Sequence, residues 1–513
     1  PDEEFKKALR FAQEQVQILI ASQEQLVELC GKETREYDLL LPKESLLEVA
    51  YQIAGDRIED AIYQPSKVAR GKAVGALKKE VEEAIKAQDP SASDFDIDQA
   101  FDYLQKKAFR VSIMEKGVRA DGRQIGDLRQ LVGEIDLIPK VHGSALFARG
   151  ETQALALATL APADERLYMD NYAGGEDSKN FFLHYNFPPF SVGETGRFGG
   201  QNRREIGHGA LAERSIAPVI PAEDEFPYTM RVSSEVMESN GSTSMATVCS
   251  GSMALMAAGV PLKAPVAGIS CGLVTEFAED GTLNDHKLLL DIIGSEDFFG
   301  DMDFKLCGTE SGVTGYQLDL KLPGVSLDIL ESAIDVTRQG RLDVLEYMNS
   351  IIAQSNELSE NAPRIETMKI DPSKIGELIG PGGKNIRSLQ ADSGAEISVE
   401  DNGTVQIYAA KPESMSRAKE LLDRMFAEIE IGKVYTGKVV STTKFGAFMQ
   451  VLPNKDGLIH ISELSHNRVK QTEDVVKVGD EVTAKCIGVD EKGRVKMSIK
   501  ALGGDAAPAK PAA

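Results

Sequence analysis

The sequence contains no tryptophan, only five cysteines and no long uninterrupted apolar run. The cysteines lie far apart and never form a CxxC pair, so the sequence indicates neither a disulfide framework nor a zinc site. The most apolar segment, residues 253–274, is interrupted by Pro261, Lys263 and Pro265, which argues against a membrane span of about 20 residues. These absences predict a protein of a reducing compartment, with a bacterial-type cytoplasm as the expected location and no membrane partner.

Positive charge is also scarce, since 57 lysines and arginines are outnumbered by 80 aspartates and glutamates, for a net charge of -23. A surface of this sign does not attract nucleic acid, whose phosphates normally require basic side chains. Any nucleic-acid site must therefore depend on local clusters of charge. The chain starts at Pro1 rather than at a methionine, which gives the expectation of a fragment, a processed product or one half of a longer polypeptide.

The length of 513 residues and the hydrophobic fraction of 42% predict several folded domains. Helical periodicity predicts a helical domain with a linker over residues 1–110, and mixed strands and helices predict a large α/β domain over residues 111–361. Two compact units are predicted at residues 365–430 and 432–502, and the low-complexity residues 503–513 predict a disordered tail. The sequence thus predicts a multidomain α+β protein.

The unit at residues 365–430 carries a GxxG loop between two short predicted helices. The loop is Gly380-Pro381-Gly382-Gly383, and Lys384 follows directly. Exposed N–H groups, a helix N-terminus and a cation at one place suit a phosphodiester backbone. A plain glycine turn is the alternative, but the order of elements around the loop resembles the KH domain, which clamps single-stranded RNA or DNA.

The unit at residues 432–502 resembles the S1 domain, an OB-fold β-barrel that binds single-stranded RNA. Phe445, Phe448 and His460 stand where that family places base-stacking side chains, and Arg468 lies nearby for the RNA backbone. Either phenylalanine could belong to the core instead, and we expect at least one to be exposed. Two linked RNA-binding units raise the effective concentration of RNA, so neither unit needs a strongly basic surface.

The α/β domain contains a dense acidic motif, DFFGDMDFK, at residues 297–305. A strand here would place Asp301, Asp303 and Lys305 on one face, with Asp297 in the approach. Two converging carboxylates commonly hold Mg²⁺ or Mn²⁺, and a neighbouring lysine can contact a phosphate oxygen. An acidic hairpin that faces solvent fits the spacing equally well.

Two further motifs of the α/β domain can bind anions. Residues 241–244, Gly-Ser-Thr-Ser, precede a predicted helix, where hydroxyl and free N–H groups bind an anion or simply cap the helix. Arg203 and Arg204 begin another predicted helix and can grip separate phosphates, although paired arginines are often solvated surface. His208, one turn later, is compatible with a structural role or a site role.

Long runs of this domain resemble the polynucleotide phosphorylase (polyribonucleotide nucleotidyltransferase) family. The runs are ALFARGETQALALATLAP, FFLHYNFPPFSVGETG, NRREIGHGALAER, FPYTMRVSSEVMESNGS and GDMDFKLCGT. They are similar to the second RNase PH-like core of that family, an α/β core of the ribosomal protein S5 domain 2-like fold. The helical region before it and the KH and S1 units after it follow the family's order.

The resemblance implies degradation of single-stranded RNA from its 3′ end by inorganic phosphate, with release of nucleoside diphosphates, and the reverse polymerisation. It also implies a role in mRNA decay, a homotrimer and an RNA-degrading assembly with other proteins. In this family three chains form a ring of six cores around a pore. The first core would be absent from this chain, so we expect an incomplete ring unless the other half is a separate polypeptide.

The resemblance also implies roles for individual residues at matching motif positions. Its catalytic set is Arg203, Arg204, His208, Thr243, Ser244, Asp297, Asp303 and Lys305. Its phosphate-binding set is Ser242, Thr243 and Ser244, and Asp297 and Asp303 would hold Mg²⁺, with Mn²⁺ as a substitute. Asp301 would support these residues. The family usually has serine at the position of Thr243, and the hydroxyl is retained.

Two other functions compete with the phosphorolytic enzyme. One is an RNA-binding assembly subunit with an inactive core, which would have no need of a metal site. The other is a hydrolytic nuclease, which would need a residue that activates water, and the sequence does not single one out.

Overall fold

The computed structural model describes residues 1–502 except positions 38, 163–164, 171–175, 198, 427–428, 453–454, 468 and 490–493. The predicted tail at residues 503–513 and the predicted RNA contact Arg468 therefore lie outside the described residues. The chain forms two compact units, residues 1–362 and residues 363–513. Within the described part of the chain, no helix is long and apolar enough to cross a membrane.

The first unit begins with helices. Their bounds are α1 Asp2–Cys30, α2 Glu44–Ala54, α3 Ile58–Ile62, α4 Lys67–Gln88 and α5 Asp94–Val111. Ser66 and Ser93 cap α4 and α5 with their side-chain oxygens, which satisfy free N–H groups of the first turn. Helices α2 to α5 share one apolar cluster around Val81 and Phe101. The predicted all-helical region is confirmed, and residues 89–93 connect α4 with α5.

Two sheets form the α/β core that follows. The first has the order β1-β2-β3-β7-β6, the second has the order β11-β10-β8-β9, and β4 pairs with β5 in a separate hairpin. The strands are β1 Leu131–Ile135, β2 Gly143–Arg149, β3 Thr152–Ala161, β4 Leu167–Asp170, β5 Glu176–Lys179, β6 Phe181–Asn186, β7 Thr229–Glu238, β8 Ala267–Phe277, β9 Leu283–Leu290, β10 Met302–Thr309 and β11 Gly312–Leu320. The helices are α6 Arg203–Ile216, α7 Thr243–Ala257, α8 Gly294–Phe299 and α9 Leu327–Ile351.

Helix α7 lies at the centre of this core. Every one of its residues is buried, and it packs against β2 and β3 of the first sheet and β8 of the second. A helix that is apolar on all sides is stable only inside a core. Both sheets therefore fix the position of its N-terminus at Thr243.

Helix α1 packs against α9 rather than against α2 to α5. Arg341, a buried residue of α9, donates to both carboxylate oxygens of Asp2 at 2.9 and 3.0 Å. The ring of Phe5 lies 4.9 Å from the ring of Tyr316 on β11. Apolar periodicity shows that a helix face is buried but not what covers it, so the sequence alone does not reveal this arrangement.

The second unit contains a small α/β fold and a barrel. Their elements are β12 Arg364–Lys369, α10 Ile375–Ile379, α11 Lys384–Ser393, β13 Glu396–Val399, β14 Thr404–Ala409, α12 Pro412–Phe426, β15 Val434–Thr443, β16 Gly446–Leu452, β17 Lys455–His460, β18 Glu481–Val489 and β19 Val495–Ser498. The sheet has the order β12-β14-β13, and the barrel closes as β15-β16-β17-β19-β18. These features confirm the predicted fold class; the exact domain boundaries remain predictions.

Candidate active site

A pocket of about 530 Å³ opens on the α/β core. Its walls come from α6, from α8 and from the hairpin of β10 and β11. The lining residues are Arg204, Gly207, His208, Leu211, Arg214, Asp297, Asp303, Lys305, Tyr316, Gln317 and Asp319. The fold thus brings together Arg204, His208, Asp297, Asp303 and Lys305, which the sequence analysis selected from two separate motifs.

Asp303 and Lys305 form a buried ion pair in this pocket. Asp303 Oδ2 lies 2.7 Å from Lys305 Nζ, and the two residues are 6% and 5% exposed. The other oxygen, Asp303 Oδ1, is buried and has no hydrogen-bond partner among the described residues. Burial raises the pKa of Asp303, and Lys305 offsets that effect only in part. A buried carboxylate oxygen without a partner is costly, so it suits a positively charged ligand.

Asp297 reaches the pocket from α8. Its side chain is 42% exposed, and its Oδ1 lies 3.5 Å from Lys321 Nζ. In the described part of the chain, no cluster of three or more His, Cys, Asp or Glu side chains is arranged to hold a metal ion. A divalent cation on the predicted pair, Asp297 and Asp303, would therefore need water or substrate oxygens to complete its coordination, as is usual for Mg²⁺.

Asp301 lies just before the strand that carries Asp303 and Lys305, and it is not among the described residues that line the pocket. Strand β10 begins at Met302, one residue later, and the Asp301 carboxylate accepts from both terminal nitrogens of Arg110 at 2.8 Å each. It also accepts from the hydroxyl of Thr275 at 2.7 Å. Its partner Arg110 lies on α5, so Asp301 ties the helical region to the sheet and supports the site from outside.

Helix α6 supplies the arginines and the histidine. Asn202 and Glu205 form a capping box that starts the helix at Arg203. Both arginines are exposed, and Arg204 is among the described lining residues of the pocket whereas Arg203 is not. Arg204 is thus the better-placed anion-binding side chain of the two.

His208 carries no charge at neutral pH. Burial lowers the pKa of its imidazole to about 4, and the nearby positive charges of Lys305 and Arg204 add to the effect. Its Nδ1 is buried without a hydrogen-bond partner in the described residues. A neutral ring can donate or accept a hydrogen bond at the pocket without adding positive charge.

We expect an NMR titration of the His208 imidazole to have its midpoint at about 4, with His208→Asn to assign the resonance. The ordinary pKa of histidine is 6.5, so between pH 6.5 and about pH 4 His208 binds a proton in the unfolded chain but not in the folded chain. The His208 contribution to the free energy of unfolding is therefore present above pH 6.5 and is lost as the pH falls through this window. A midpoint near 6.5 would contradict the burial of this ring.

Buried side chains fix the loop at residues 240–242, directly before α7. The three successive loop carbonyl oxygens accept hydrogen bonds from Arg129 at 3.0 Å, Thr152 at 3.0 Å and Arg149 at 2.8 Å. Ser242 adopts a left-handed conformation, with φ of 60°. Because all three carbonyls are held by these side chains, the amides and hydroxyls that follow are set in a fixed orientation.

Asp291 holds the two arginines of this arrangement. Its Oδ1 lies 2.6 Å from Arg129 Nη2 and 2.9 Å from Arg149 Nη1. Burial acts to raise the pKa of Asp291, but the two guanidinium groups outweigh it and keep that pKa well below its usual range. The sequence analysis missed Arg129, Arg149, Thr152 and Asp291, because a sequence does not show which charged residues are buried together.

The start of α7 offers polar groups to an anion. Met245 N–H donates to Ser242 O at 3.1 Å, so the amides of Thr243 and Ser244 precede the first bond of the helix. The hydroxyls of Ser242 and Ser244 are buried without partners among the described residues. Ser242, Thr243 and Ser244 are not among the described residues that line the pocket. Thr243 Oγ1 lies 2.7 Å from the hydroxyl of Tyr185, whose ring is 5.3 Å from the ring of His208, so this pair connects the loop with the pocket.

Thr152→Val is expected to raise the phosphate KM by about fivefold or more. The Thr152 hydroxyl donates to Gly241 O and accepts from Asn240 N–H and Arg129 Nη1, and the loss of these three hydrogen bonds, each worth about 1 kcal/mol, leaves the loop less well held. The matched control is Thr337→Val, because Thr337 is also fully buried and its hydroxyl bonds only within α9 at 2.8 and 2.9 Å. Thermal unfolding of both variants measures the loss of stability separately from the loss of phosphate binding. Equal changes in the phosphate KM would contradict the proposed role of the loop contacts.

Comparisons with known proteins place this site in a family. Residues 127–261 match the model described as 3′ exoribonuclease family, domain 1, residues 365–424 match the KH domain, and residues 428–500 match the S1 RNA binding domain. A protein of Akkermansia muciniphila named polyribonucleotide nucleotidyltransferase is 67% identical over 507 residues, which cover 99% of this chain and 71% of that protein. The chain belongs to the polyribonucleotide nucleotidyltransferase family.

Other members of the polyribonucleotide nucleotidyltransferase family show similar coverage. The protein of Methylacidiphilum infernorum is 51% identical over 98% of this chain and 71% of its own length. The protein of Opitutus terrae is 48% identical, again over 98% of this chain and 71% of its own length. Residues 45–124 match a model described as polyribonucleotide nucleotidyltransferase, RNA binding domain. The sequence analysis assigned no chemistry to these helices, so it did not anticipate this match.

The GxxG loop of this family member lies between α10 and α11, as the sequence predicts. Gly380, Gly382 and Gly383 have positive φ values of 69°, 59° and 78°, which glycine adopts most easily. Pro381, Gly382 and Lys384 are exposed. The loop therefore presents its backbone and one lysine to solvent, which suits a phosphodiester chain.

The barrel of this family member exposes part of its predicted aromatic set. Phe445 is 51% exposed, so its ring is available for stacking, whereas Phe448 is half-buried and meets it edge-on at 6.5 Å. His460 is exposed, and its Nδ1 lies 2.8 Å from the hydroxyl of Ser462. These positions leave Phe445 and His460 as the accessible predicted contacts of this unit.

Proposed function

We propose that this chain shortens single-stranded RNA from its 3′ end by phosphorolysis, releases nucleoside diphosphates and runs the reverse polymerisation. Family membership supports the class of reaction. At the site, the supporting observation is one pocket that combines the cations of Arg204 and Lys305 with a buried, unpartnered oxygen of Asp303. The KH and S1 units support single-stranded RNA as the partner.

The reaction transfers a nucleotidyl group between two oxygens. An oxygen of inorganic phosphate attacks the phosphorus of the last phosphodiester, the bond from phosphorus to the O3′ of the preceding nucleotide breaks, and that O3′ takes up a proton. Phosphate is itself the nucleophile, so no Ser–His or Cys–His pair is required. Catalysis then consists of positioning two anions and stabilising the charge on their oxygens.

The residues divide this work between them. Arg204 and Lys305 place positive charge beside the phosphates of the RNA end and of the nucleophile. The amides and hydroxyls at the start of α7, from Ser242 to Ser244, would hold the attacking phosphate in the orientation set by the loop. His208, neutral because of its lowered pKa of about 4, supplies a hydrogen bond without charge.

The acidic groups fit a divalent cation such as Mg²⁺, with Mn²⁺ as a substitute. Asp303 Oδ1 is buried and unpartnered among the described residues, and Asp297 approaches from α8 on the same pocket. Asp297 and Asp303 would hold the ion. A bound divalent cation would neutralise charge that develops on the phosphate oxygens.

The proposal extends to a homotrimer that acts in mRNA decay in the cytoplasm, within an RNA-degrading assembly of several proteins. Family membership and the RNA-binding units support this part. Light scattering should give a mass of three times the 55.6 kDa of one chain. A single-chain mass at the concentration of the assay would contradict the trimer.

A product assay tests the central proposal. The chain is incubated with a single-stranded RNA, Mg²⁺ and inorganic phosphate, and the products are separated by chromatography. Phosphate-dependent release of nucleoside diphosphates is the expected result. Nucleoside monophosphates would indicate hydrolysis instead, and bound but intact RNA would indicate an RNA-binding subunit without activity.

A further inference from the structure

Asp319 is a third carboxylate of the pocket, and no motif assigns it a role. It lies directly opposite Asp303 in the antiparallel pair of β10 and β11, so both side chains project from the same face. Its Oδ2 is 3.8 Å from Lys305 Nζ and accepts a hydrogen bond from Gln317 Nε2 at 2.9 Å. Lys305 therefore contacts the Asp303 carboxylate, at 2.7 Å, and has the Asp319 carboxylate close by.

The position of Lys305 conflicts with cation binding at Asp303. Its ammonium group bonds the same carboxylate that would hold the divalent ion, and like charges at this distance repel each other. Lys305 is only 5% exposed, so water cannot readily replace the lost partner. The unpartnered Oδ1 of Asp303, in a side chain that is 8% exposed, is the independent sign that this carboxylate binds a ligand.

We propose that Asp319 is a positioning residue that accepts the Lys305 ammonium group when a divalent cation binds Asp303. The change is a shift of one ion pair along a single face of the hairpin, and no covalent bond or proton is exchanged. Asp319 is suited to it because its side chain is 57% exposed, which keeps the carboxylate hydrated, and Gln317 orients its oxygen. Lys305 then stays in the pocket to face a phosphate. This inference rests on the proposed function, since it assumes a cation at Asp303.

Mn²⁺ binding to the full chain, measured by electron paramagnetic resonance without RNA or phosphate, tests the inference. Asp319→Asn is expected to weaken Mn²⁺ binding about tenfold, because Lys305 then keeps its bond to Asp303. In a Lys305→Met background the same substitution should change the affinity by less than about twofold, since no ammonium group needs a second partner. Asp285→Asn is the control, because Asp285 is on β9 of the same sheet, is 51% exposed and does not line the pocket.

The outcomes separate this inference from the proposed function. An equal loss of Mn²⁺ affinity in both backgrounds would show that Asp319 contacts the cation directly, and would overturn the inference. Unchanged affinity of Asp319→Asn would also overturn it, while leaving phosphorolysis and the cation site in place. Absence of Mn²⁺ binding by the unmodified chain would overturn both the inference and the cation site on which it depends.

Discussion

Replacement of Asp303 by asparagine is expected to slow phosphorolysis by roughly 10³-fold and to change RNA affinity by less than about twofold. Asparagine keeps the shape of the side chain but removes its charge, so neither a cation nor Lys305 finds an anionic partner at this position. The carboxylate is only 6% exposed, and no solvent-exposed group can take its place at the same point of the strand. The RNA affinity should persist because the GxxG loop and the barrel lie in a different unit of the chain.

The measurement compares nucleoside diphosphate release at saturating RNA and phosphate with RNA affinity from fluorescence anisotropy. Asp285→Asn provides the same chemical change on the same sheet outside the lining of the pocket, and it should retain full activity. Thermal unfolding of both variants separates a loss of folding from a loss of chemistry. A parallel fall of RNA affinity in Asp303→Asn would contradict the division between a catalytic core and separate RNA-binding units.

The sequence predicted the acidic part of the pocket because strand geometry is local. Asp303 and Lys305 are two residues apart, and the period of two places them on one face. They are also charged residues of a strand in which every residue is buried, and charged residues in a buried strand indicate a role other than packing. The same reasoning placed Asp301 beside them, and the structure has it one residue before the strand, where its carboxylate bonds Arg110.

The sequence could not predict Asp319, because its place opposite Asp303 depends on the register of a hairpin. A bulge between Cys307 and Gly308 shifts that register, and one residue of slip would turn Asp319 to the other face. Arg149 and Asp291 were missed for a related reason. They are 142 residues apart in the chain and meet at 2.9 Å only because two different sheets enclose α7.

Some of the buried polar atoms without partners coincide with the residues of the candidate site. Asp303 Oδ1, His208 Nδ1 and Ser244 Oγ are unpartnered among the described residues, and each belongs to a residue that the family resemblance selects. Most buried polar groups in proteins are paired, so the two exceptions among the described residues that line the pocket, on Asp303 and His208, indicate groups that are kept for a ligand.

Gly382→Asp is expected to weaken RNA binding about 30-fold, or about 2 kcal/mol, while the rate at saturating RNA stays within about twofold. The new carboxylate would lie where the loop amides and Lys384 are exposed for a phosphate backbone, so it would repel the RNA directly. Sterics contribute little, since no atom lies within 4 Å of a Cβ at this position. Aspartate also tolerates the left-handed conformation, φ of 59°, better than most residues, so the small fold should persist.

Gly281→Asp is the matched control for this prediction. Gly281 has φ of 81°, has no atom within 4 Å of a Cβ, and lies between β8 and β9 of the other unit. The substitution Gly281→Asp adds the same charge in the same kind of conformation. Equal losses of RNA affinity in the two variants would therefore point to net charge rather than to the GxxG loop. Because the expected effect is electrostatic, the difference between the two variants should shrink as the salt concentration rises. A difference that does not depend on salt would mean that the substitution distorts the loop, and unchanged affinity of Gly382→Asp would mean that this loop does not clamp RNA.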